Sequence, residues 1–294
     1  MLQARRWVIH YSTPVVSPEI GVGMPKVLTQ EQIATYHRDG AVAPVSLMSR
    51  AEIAVYQRKF EALEATIGGE AQARYRIKAH LPFPWLCELV RHPRMTDAVE
   101  DLIGPDVICW GSSFFTKKAH DSRFVSWHQD STYYGMEPPE SITCWIGFTD
   151  SRMNSGCMRI VPGSHRGPAI LPHVETWDKQ NLLARGQTIE KVDESNLVYL
   201  EVNAGEFSIH HNKTIHSSQP NTADTPRVGF AVHFAAANVR QAQYEGATAI
   251  VLRGRDRNNY WLPEPQPKED FDPVCLAAMD EAWIRYRDKM KPQA

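Results

Sequence analysis

The chain has 294 residues, of which 43% are hydrophobic and 22% are charged, a composition typical of a globular protein and unlike that of a disordered one. The formal net charge of -2 gives no basic field for nucleic acid or for an anionic membrane surface, and no stretch reaches the roughly 20 apolar residues of a membrane-spanning helix. The five cysteines are widely spaced and form no CxxC pair, which favours reduced thiols in the cytoplasm.

The first residues differ from the rest of the chain. Residues 1–23 contain neither the apolar core of a signal peptide nor a helical period, so we expect an irregular extension, with Met24 as a candidate start. Residues 24–294 are expected to form a single domain, because β-barrels of this size often fold as one unit.

Helical patterns flank the sequence at both ends. Capping boxes, in which a Ser or Thr precedes a Glu or Gln by three residues, predict two helices in the first seventy residues. The four predicted helices begin after Thr29, after Ser49, at Pro93 and, with a first-turn proline, at Pro273. Glycines at Gly40, at 68–69 and at Gly104 are typical helix ends.

From Val107 the sequence changes to short runs of β-branched and aromatic residues separated by turns. The eight predicted strands are 107–118, 123–130, 141–150, 157–161, 197–202, 206–211, 214–218 and 227–235. They predict a mainly β fold with flanking helices and a jelly-roll core. Segment 165–195 interrupts the strands with few periodic apolar residues, and we expect it to cover a functional cavity.

His-x-acid triplets occur three times, at 37–39, 128–130 and 173–175, where chance predicts roughly one. Side chains two positions apart converge on one point when the backbone is extended and diverge when it is helical. The first triplet lies in a predicted helix and the third in the insertion, whereas His128 and Asp130 end a predicted strand. This pair is therefore the one placed to chelate a metal.

A mononuclear iron site of the facial type needs a third ligand, with two imidazoles and one carboxylate on one face. The later candidates are His210, His211, His216 and His233. His210 and His211 are adjacent on one strand, so at most one of them faces inward. From the residues alone, a hydrogen-bonded structural histidine remains the better interpretation of each.

Three stretches in a fixed order carry a family resemblance: WHQD at 127–130, NSGCMRIVPGSH at 154–165 and IHSSQPN at 215–221, followed by Arg227. Together they resemble the phytanoyl-CoA dioxygenase family of Fe(II)/2-oxoglutarate oxygenases, over about residues 28–234. The resemblance implies a double-stranded β-helix of the cupin kind. It also implies Fe(II) bound by His128, Asp130 and His216, with 2-oxoglutarate and dioxygen as cosubstrates.

The same resemblance implies that Arg227 binds the distal carboxylate of 2-oxoglutarate, for which a planar guanidinium is suited. Further cosubstrate contacts are implied at Lys117, Gln129, Trp145 and Ser218. Lys118 competes with Lys117 for this role, because a register slip of one residue reverses the face of a strand. Candidate walls of a substrate pocket are Phe115, Trp127, Tyr133 and Tyr134, although aromatic residues on barrel strands more often fill the core.

The implied reaction is hydroxylation of an unactivated C–H bond of a small metabolite, with release of succinate and carbon dioxide. An acid at Asp130 argues for hydroxylation over halogenation. Desaturation, cyclisation or epimerisation in natural-product biosynthesis is an alternative with the same cofactors. A non-oxidative cupin, either a metal-dependent isomerase or a small-molecule binding protein, is the alternative of a different class. The absence of a basic patch for coenzyme A favours a free metabolite of secondary metabolism, and the sequence defines no oligomeric state.

Overall fold

The computed structural model describes residues 24–167, 170–183 and 185–289. Residues 1–23, predicted to be an irregular extension, lie outside the described residues. The α-helices are α1 (Gln30–Asp39), α2 (Arg50–Ile67), α3 (Ala71–Arg74), α4 (Pro84–Val90), α5 (Pro93–Ile103), α6 (Ser131–Tyr134) and α7 (Pro273–Lys289). The strands are β1 (Ala41–Ser46), β2 (Val107–Lys117), β3 (Val125–His128), β4 (Met136–Glu137), β5 (Ile142–Gly147), β6 (Met158–Ile160), β7 (Val174–Glu175), β8 (Gln187–Thr188), β9 (Val198–Leu200), β10 (Glu206–His211), β11 (His216–Ser218), β12 (Arg227–Ala236), β13 (Arg240–Gln241), β14 (Thr248–Arg253) and β15 (Leu262–Pro263).

The predicted helix ends are confirmed. Both capping boxes form, and in the first the Thr29 hydroxyl accepts from the Gln32 backbone N–H while the Gln32 side chain accepts from that of Thr29. Gly40 and Gly68 end α1 and α2 in the left-handed conformation, with φ of 82° and 63°. Helix α7 begins at Pro273, as predicted.

Two sheets form the jelly roll. The large sheet has the order β1–β10–β5–β12–β2–β14–β15, and the small sheet has the order β3–β11–β6–β9. All neighbouring strands in these sheets are antiparallel except β14 and β15. Residues of both sheets line one cavity, so the sheets face each other across it. This architecture confirms the predicted mainly β, cupin-like fold with flanking helices.

Alternation along the central strands separates the hydrophobic core from the cavity. On β12, Phe230 and Val232 join the core that α2, α4 and α5 build against the outer face of the large sheet. Arg227, Ala231 and His233 point the other way and line the cavity. The strand is buried on both faces, because helices cover one and the small sheet the other.

The predicted strands are present, but several are shorter than expected. The strand predicted over 123–130 ends at His128, and Asp130 has helical backbone angles, with φ of -56° and ψ of -33°. The sequence also failed to indicate β1, which contains Pro44. A proline argues against a central strand, but β1 lies at the edge of the large sheet, where a missing N–H is tolerated.

The insertion forms one wall of the cavity. Its residues Trp177 and Leu183 line the cavity, and the two-residue strands β7 and β8 pair within it. Backbone hydrogen bonds from Leu182 to Phe124 O, 2.9 Å, and from Ile189 to Trp127 O, 2.8 Å, join it to β3 and the residue before it. The segment therefore lies over the metal-site strand, as expected for a cover.

All five cysteines are buried and unpaired, so no disulfide contributes to the fold. Within the described ranges, no helix combines the length and the apolar character that crossing a bilayer requires.

Candidate metal and cosubstrate site

Three side chains meet where β3 and β11 pair. His128 and His216 are direct partners in this antiparallel pair, and their ring centroids are 4.0 Å apart. Asp130 Oδ1 is 3.4 Å from His128 Nε2 and 3.8 Å from His216 Nε2. One atom from each residue lies within 4.8 Å of the others, and all three residues are buried. The three atoms are close enough for one metal ion to bind all of them.

The backbone reaches this arrangement differently from the prediction. We expected His128 and Asp130 to project from one extended strand, and that expectation is wrong. The chain turns after His128, where the Tyr133 N–H donates to Asp130 O at 2.9 Å and opens α6. This turn, rather than the pleat of a strand, brings the carboxylate to the imidazoles.

Hydrogen bonds define which nitrogen of each ligand histidine is free. His128 Nδ1 lies 2.9 Å from the carbonyl of Ser126, and His216 Nδ1 lies 2.8 Å from the carbonyl of Thr214. Because a carbonyl can only accept, each Nδ1 carries the hydrogen and each Nε2 keeps its lone pair. Two neutral imidazoles and one carboxylate are the donor set that suits ferrous iron.

His210 also faces this site but has the opposite tautomer. Its Nε2 lies 3.3 Å from Asp130 Oδ2, and an ionised carboxylate can only accept, so Nε2 carries the hydrogen. Its neighbour His211 packs against His165 instead, with ring centroids 5.5 Å apart. The expectation that at most one of the two points inward is confirmed. The alternation of side chains along the strand predicted that only one of the two histidines faces inward. Nothing in the sequence indicated the contact between His210 and Asp130.

The electrostatics favour the ligand forms of these groups. Burial raises the pKa of Asp130, but its three histidine neighbours, His216, His128 and His210, outweigh burial and hold the pKa well below its usual value. Burial, with the nearby His128, holds the pKa of His216 well below its usual value. At neutral pH the site therefore presents a carboxylate and a neutral imidazole.

Arg227 enters the same cavity from β12. It is 3% exposed, and its guanidinium lies 5.2 Å from the centre of the Trp145 ring. One Nη donates to the carbonyl of Gly156 at 2.5 Å, whereas Nε has no hydrogen-bond partner within the described residues. A buried cation with a free donor is a suitable partner for a carboxylate.

Lys117 lies next to Arg227 but does not line the cavity. It is the cross-strand partner of Arg227, and its ammonium donates to Ser218 Oγ at 2.7 Å and to the carbonyl of Gln219. Burial, followed by the charge of Arg227, lowers the pKa of Lys117 to about 6. Lys118 is exposed. Lys117 is therefore the inward residue of the two, but it lies behind Ser218 and does not line the cavity.

Gln129, a predicted cosubstrate contact, and Trp127, a predicted pocket wall, do not line the cavity. Gln129 donates to the carbonyl of Lys213 and accepts from the N–H of Leu171, both at 2.8 Å, so its amide is used by the surrounding loops and not by a cosubstrate. Trp127 donates to Glu194 at 2.9 Å and packs in a small cluster outside the cavity. Trp127 precedes the inward His128 on β3, and neighbours along an extended strand point to opposite faces, whereas Gln129 lies in the turn that follows the strand. These two predictions are wrong.

The cavity has a volume of about 620 Å3, within the usual range for small-molecule sites. Phe115, Tyr133 and Tyr134 line it, as predicted. Nothing in the sequence indicated Trp110, whose ring stacks on His233 with centroids 5.1 Å apart.

His233, considered above as a metal ligand, is used differently. Its Nδ1 lies 3.0 Å from Thr143 Oγ1 and 3.2 Å from the Tyr134 hydroxyl, and burial lowers its pKa to about 4. It is therefore a neutral part of the cavity wall.

A jelly roll that gathers two neutral imidazoles, a carboxylate and a buried arginine around one cavity defines the class of mononuclear non-heme iron oxygenases that use 2-oxoglutarate. The model of the phytanoyl-CoA dioxygenase (PhyH) family matches residues 36–229, and the chain belongs to this family. The family confirms the resemblance seen in the sequence motifs.

Relatives extend over most of the chain. The peroxisomal phytanoyl-CoA dioxygenase of Bos taurus is 27% identical over 248 residues, which are 76% of this chain and 73% of the bovine protein. Among solved structures, the apo form of the non-heme monooxygenase ThoJ is 33% identical with a TM-score of 0.75, covering 88% of this chain and 96% of that one. The nickel complex of ThoJ is 30% identical with a TM-score of 0.71, covering 88% and 98%. The protein is a dioxygenase that depends on Fe(II) and 2-oxoglutarate.

Proposed function

We propose that the enzyme hydroxylates an unactivated C–H bond of a small metabolite, with Fe(II) bound by His128, Asp130 and His216 and with 2-oxoglutarate held by Arg227. The observation that carries the proposal is the meeting of three ligand atoms within 4.8 Å in the cavity that also contains the buried guanidinium. A non-oxidative cupin would have no use for that arginine beside its metal.

Two basic residues of the chain are placed to bind and orient 2-oxoglutarate. Arg227 would bind the distal carboxylate of the cosubstrate, because the side chain is buried and Nε has no hydrogen-bond partner among the described residues. Lys117, which hydrogen-bonds to Ser218, would take up a proton when the dianion binds and so add a second positive charge. When bound, ferrous iron couples the oxidative decarboxylation of 2-oxoglutarate, which yields succinate and carbon dioxide, to oxidation of the substrate. The protein excludes water and holds the reactants in place.

Two features support hydroxylation of a small molecule. Asp130 keeps a carboxylate in the ligand set, at the position that a halide would otherwise take, and so favours hydroxylation over halogenation. The inner end of the cavity, where Trp110 and Tyr134 stand beside His233, is aromatic with a few polar groups, as is usual for metabolite sites. The five buried, unpaired thiols match a reducing compartment, and we place the reaction in the cytoplasm.

An anaerobic titration tests the function. We expect Fe(II) and 2-oxoglutarate to produce a metal-to-ligand charge-transfer band, and air to release succinate. A protein that binds iron but gives neither the band nor succinate with any candidate substrate would be a non-oxidative cupin. Mass spectrometry of the product separates a gain of one oxygen, expected for hydroxylation, from the loss of two hydrogens expected for desaturation or cyclisation.

A further inference from the structure

The two oxygens of the Asp130 carboxylate have different surroundings. Oδ1 faces the Nε2 atoms of His128 and His216, at 3.4 and 3.8 Å. Oδ2 points away from them, towards His210 Nε2 at 3.3 Å and Thr143 Oγ1 at 3.4 Å. One oxygen therefore faces the metal site, and the other faces His210 and Thr143, while the Tyr134 hydroxyl also hydrogen-bonds to Asp130.

These two donors are held together by the large sheet. His210 on β10 and Thr143 on β5 are direct cross-strand partners, so their side chains lie side by side on the cavity face. Both residues are buried, at 1% and 2% exposure. Their position depends on strand register and not on a mobile loop.

The hydrogen positions follow from the chemistry of the partners. A metal-binding carboxylate is ionised and can only accept, so His210 Nε2 and the Thr143 hydroxyl both donate to Oδ2, and Thr143 Oγ1 accepts in turn from His233 Nδ1, 3.0 Å away. His210 Nδ1, on the far side of the ring, is buried and has no hydrogen-bond partner within the described part of the chain. The ring is thus not oriented by a second contact of Nδ1, in contrast to His128 and His216, whose Nδ1 atoms donate to carbonyls.

We propose that His210 and Thr143 form a cross-strand clamp that keeps Asp130 monodentate and so reserves a coordination position on the metal. This rests on the proposed function. If iron were bound by two imidazoles, one carboxylate oxygen and both donor oxygens of 2-oxoglutarate, a sixth ligand position would remain for a gas molecule. A carboxylate bound through both oxygens would fill that position. Hydrogen bonds to Oδ2 oppose bidentate binding because they engage the lone pairs that it needs.

His210 and Thr143 are therefore positioning residues, and nitric oxide as a surrogate for dioxygen tests their role. Matched variants remove or retain a donor: Thr143→Val against Thr143→Ser, and His210→Leu against His210→Gln. The anaerobic charge-transfer band reports 2-oxoglutarate on the metal, and the electron paramagnetic resonance signal of the nitrosyl adduct reports the reserved position.

We expect Thr143→Val and His210→Leu to keep the charge-transfer band but to bind nitric oxide about 10-fold more weakly or worse. Thr143→Ser and His210→Gln should bind it like the unaltered enzyme. Equal nitric oxide affinity in all variants that keep the band overturns the clamp, and so does loss of iron from Thr143→Val. If His210→Leu does not fold, the two Thr143 variants decide. Failure of the unaltered enzyme to give the band overturns the proposed function instead, so the two failures are distinguishable.

Discussion

His128 and His216 lie directly opposite each other on antiparallel strands, and each ring is oriented by the backbone carbonyl two residues before it. The same local hydrogen bond thus occurs twice and turns both Nε2 atoms towards the same point. A slip of β11 by one residue would reverse the face of His216, so the register of this strand pair determines whether the site exists.

His128→Ala and His216→Ala should each lose iron, because two protein ligands do not hold a ferrous ion. We expect iron affinity to fall by more than about 100-fold, beyond the usual effect of removing a residue that only supports a ligand. Metal analysis after dialysis measures this. His37→Ala is the matched control, since it removes the exposed histidine of another His-x-acid triplet. Normal iron content in His216→Ala would show that another residue completes the site.

Arg227→Met should keep iron but lose affinity for 2-oxoglutarate. Removing one partner of a buried charge-assisted pair costs about 2 to 4 kcal/mol, or roughly 30- to 900-fold in affinity. Titration of the charge-transfer band measures it. Arg253→Met is the control, because Arg253 pairs with Asp97 and Glu100 away from the cavity. Unchanged 2-oxoglutarate affinity in Arg227→Met would remove that residue from the cosubstrate site.

The sequence indicated the residues whose role depends on local pattern. The motif around His128 and the alternation of β12 that turns Arg227 inward can both be read from neighbouring residues. The roles of His210 and Thr143 could not, because they depend on the register between β10 and β5. The wrong prediction for Gln129 has a related cause, since its amide is bound by segments that meet it only after folding.

Binding of 2-oxoglutarate should weaken as the pH rises from about 6 to about 8. Burial and the charge of Arg227 lower the pKa of Lys117 to about 6, so above that pH the free enzyme holds a neutral amine. A dianion favours the ammonium form, and binding must then take up a proton. Affinity should fall by up to about tenfold per pH unit. For the same reason, an unfolded lysine binds more protons than the folded one in this window, so the stability of the free enzyme should rise with pH.

Two variants test whether Lys117 is responsible. Lys117→Met should bind 2-oxoglutarate more weakly at pH 6 and show little pH dependence. Lys118→Met, which alters the exposed neighbour, should behave like the unaltered enzyme. An affinity that is equally steep in Lys117→Met would assign the pH dependence to another group.

The insertion 165–195 should become more ordered when substrate binds. Trp177 lines the mouth of the cavity with 65% of its surface exposed, so a bound molecule can gain contact with it. Trypsin cleavage after Lys179 should slow by about tenfold when Ni(II), 2-oxoglutarate and a turnover-stimulating compound are present. Cleavage after Arg255, which is exposed and hydrogen-bonds to Asp106 outside the insertion, is the internal reference. Equal protection with and without the compound would mean that the insertion is a fixed wall.

Gly229→Ala should damage the cosubstrate site through Trp145. A methyl group at position 229 would lie 1.8 Å from Cζ2 of the indole, so the ring must leave its place beside Arg227. We expect a loss of stability of about 1 to 3 kcal/mol, together with weaker 2-oxoglutarate binding. Gly69→Ala is the control, because nothing lies within 4 Å of its added carbon.

The double variant Gly229→Ala/Trp145→Phe separates steric conflict from a backbone effect. Phenylalanine lacks the outer ring that carries Cζ2, so the added methyl group should meet less resistance. Thermal unfolding should then show the double variant to be more stable than Gly229→Ala, although Trp145→Phe alone removes buried contacts. If the two substitutions instead add, the glycine is required by its backbone and not by the indole packed over it.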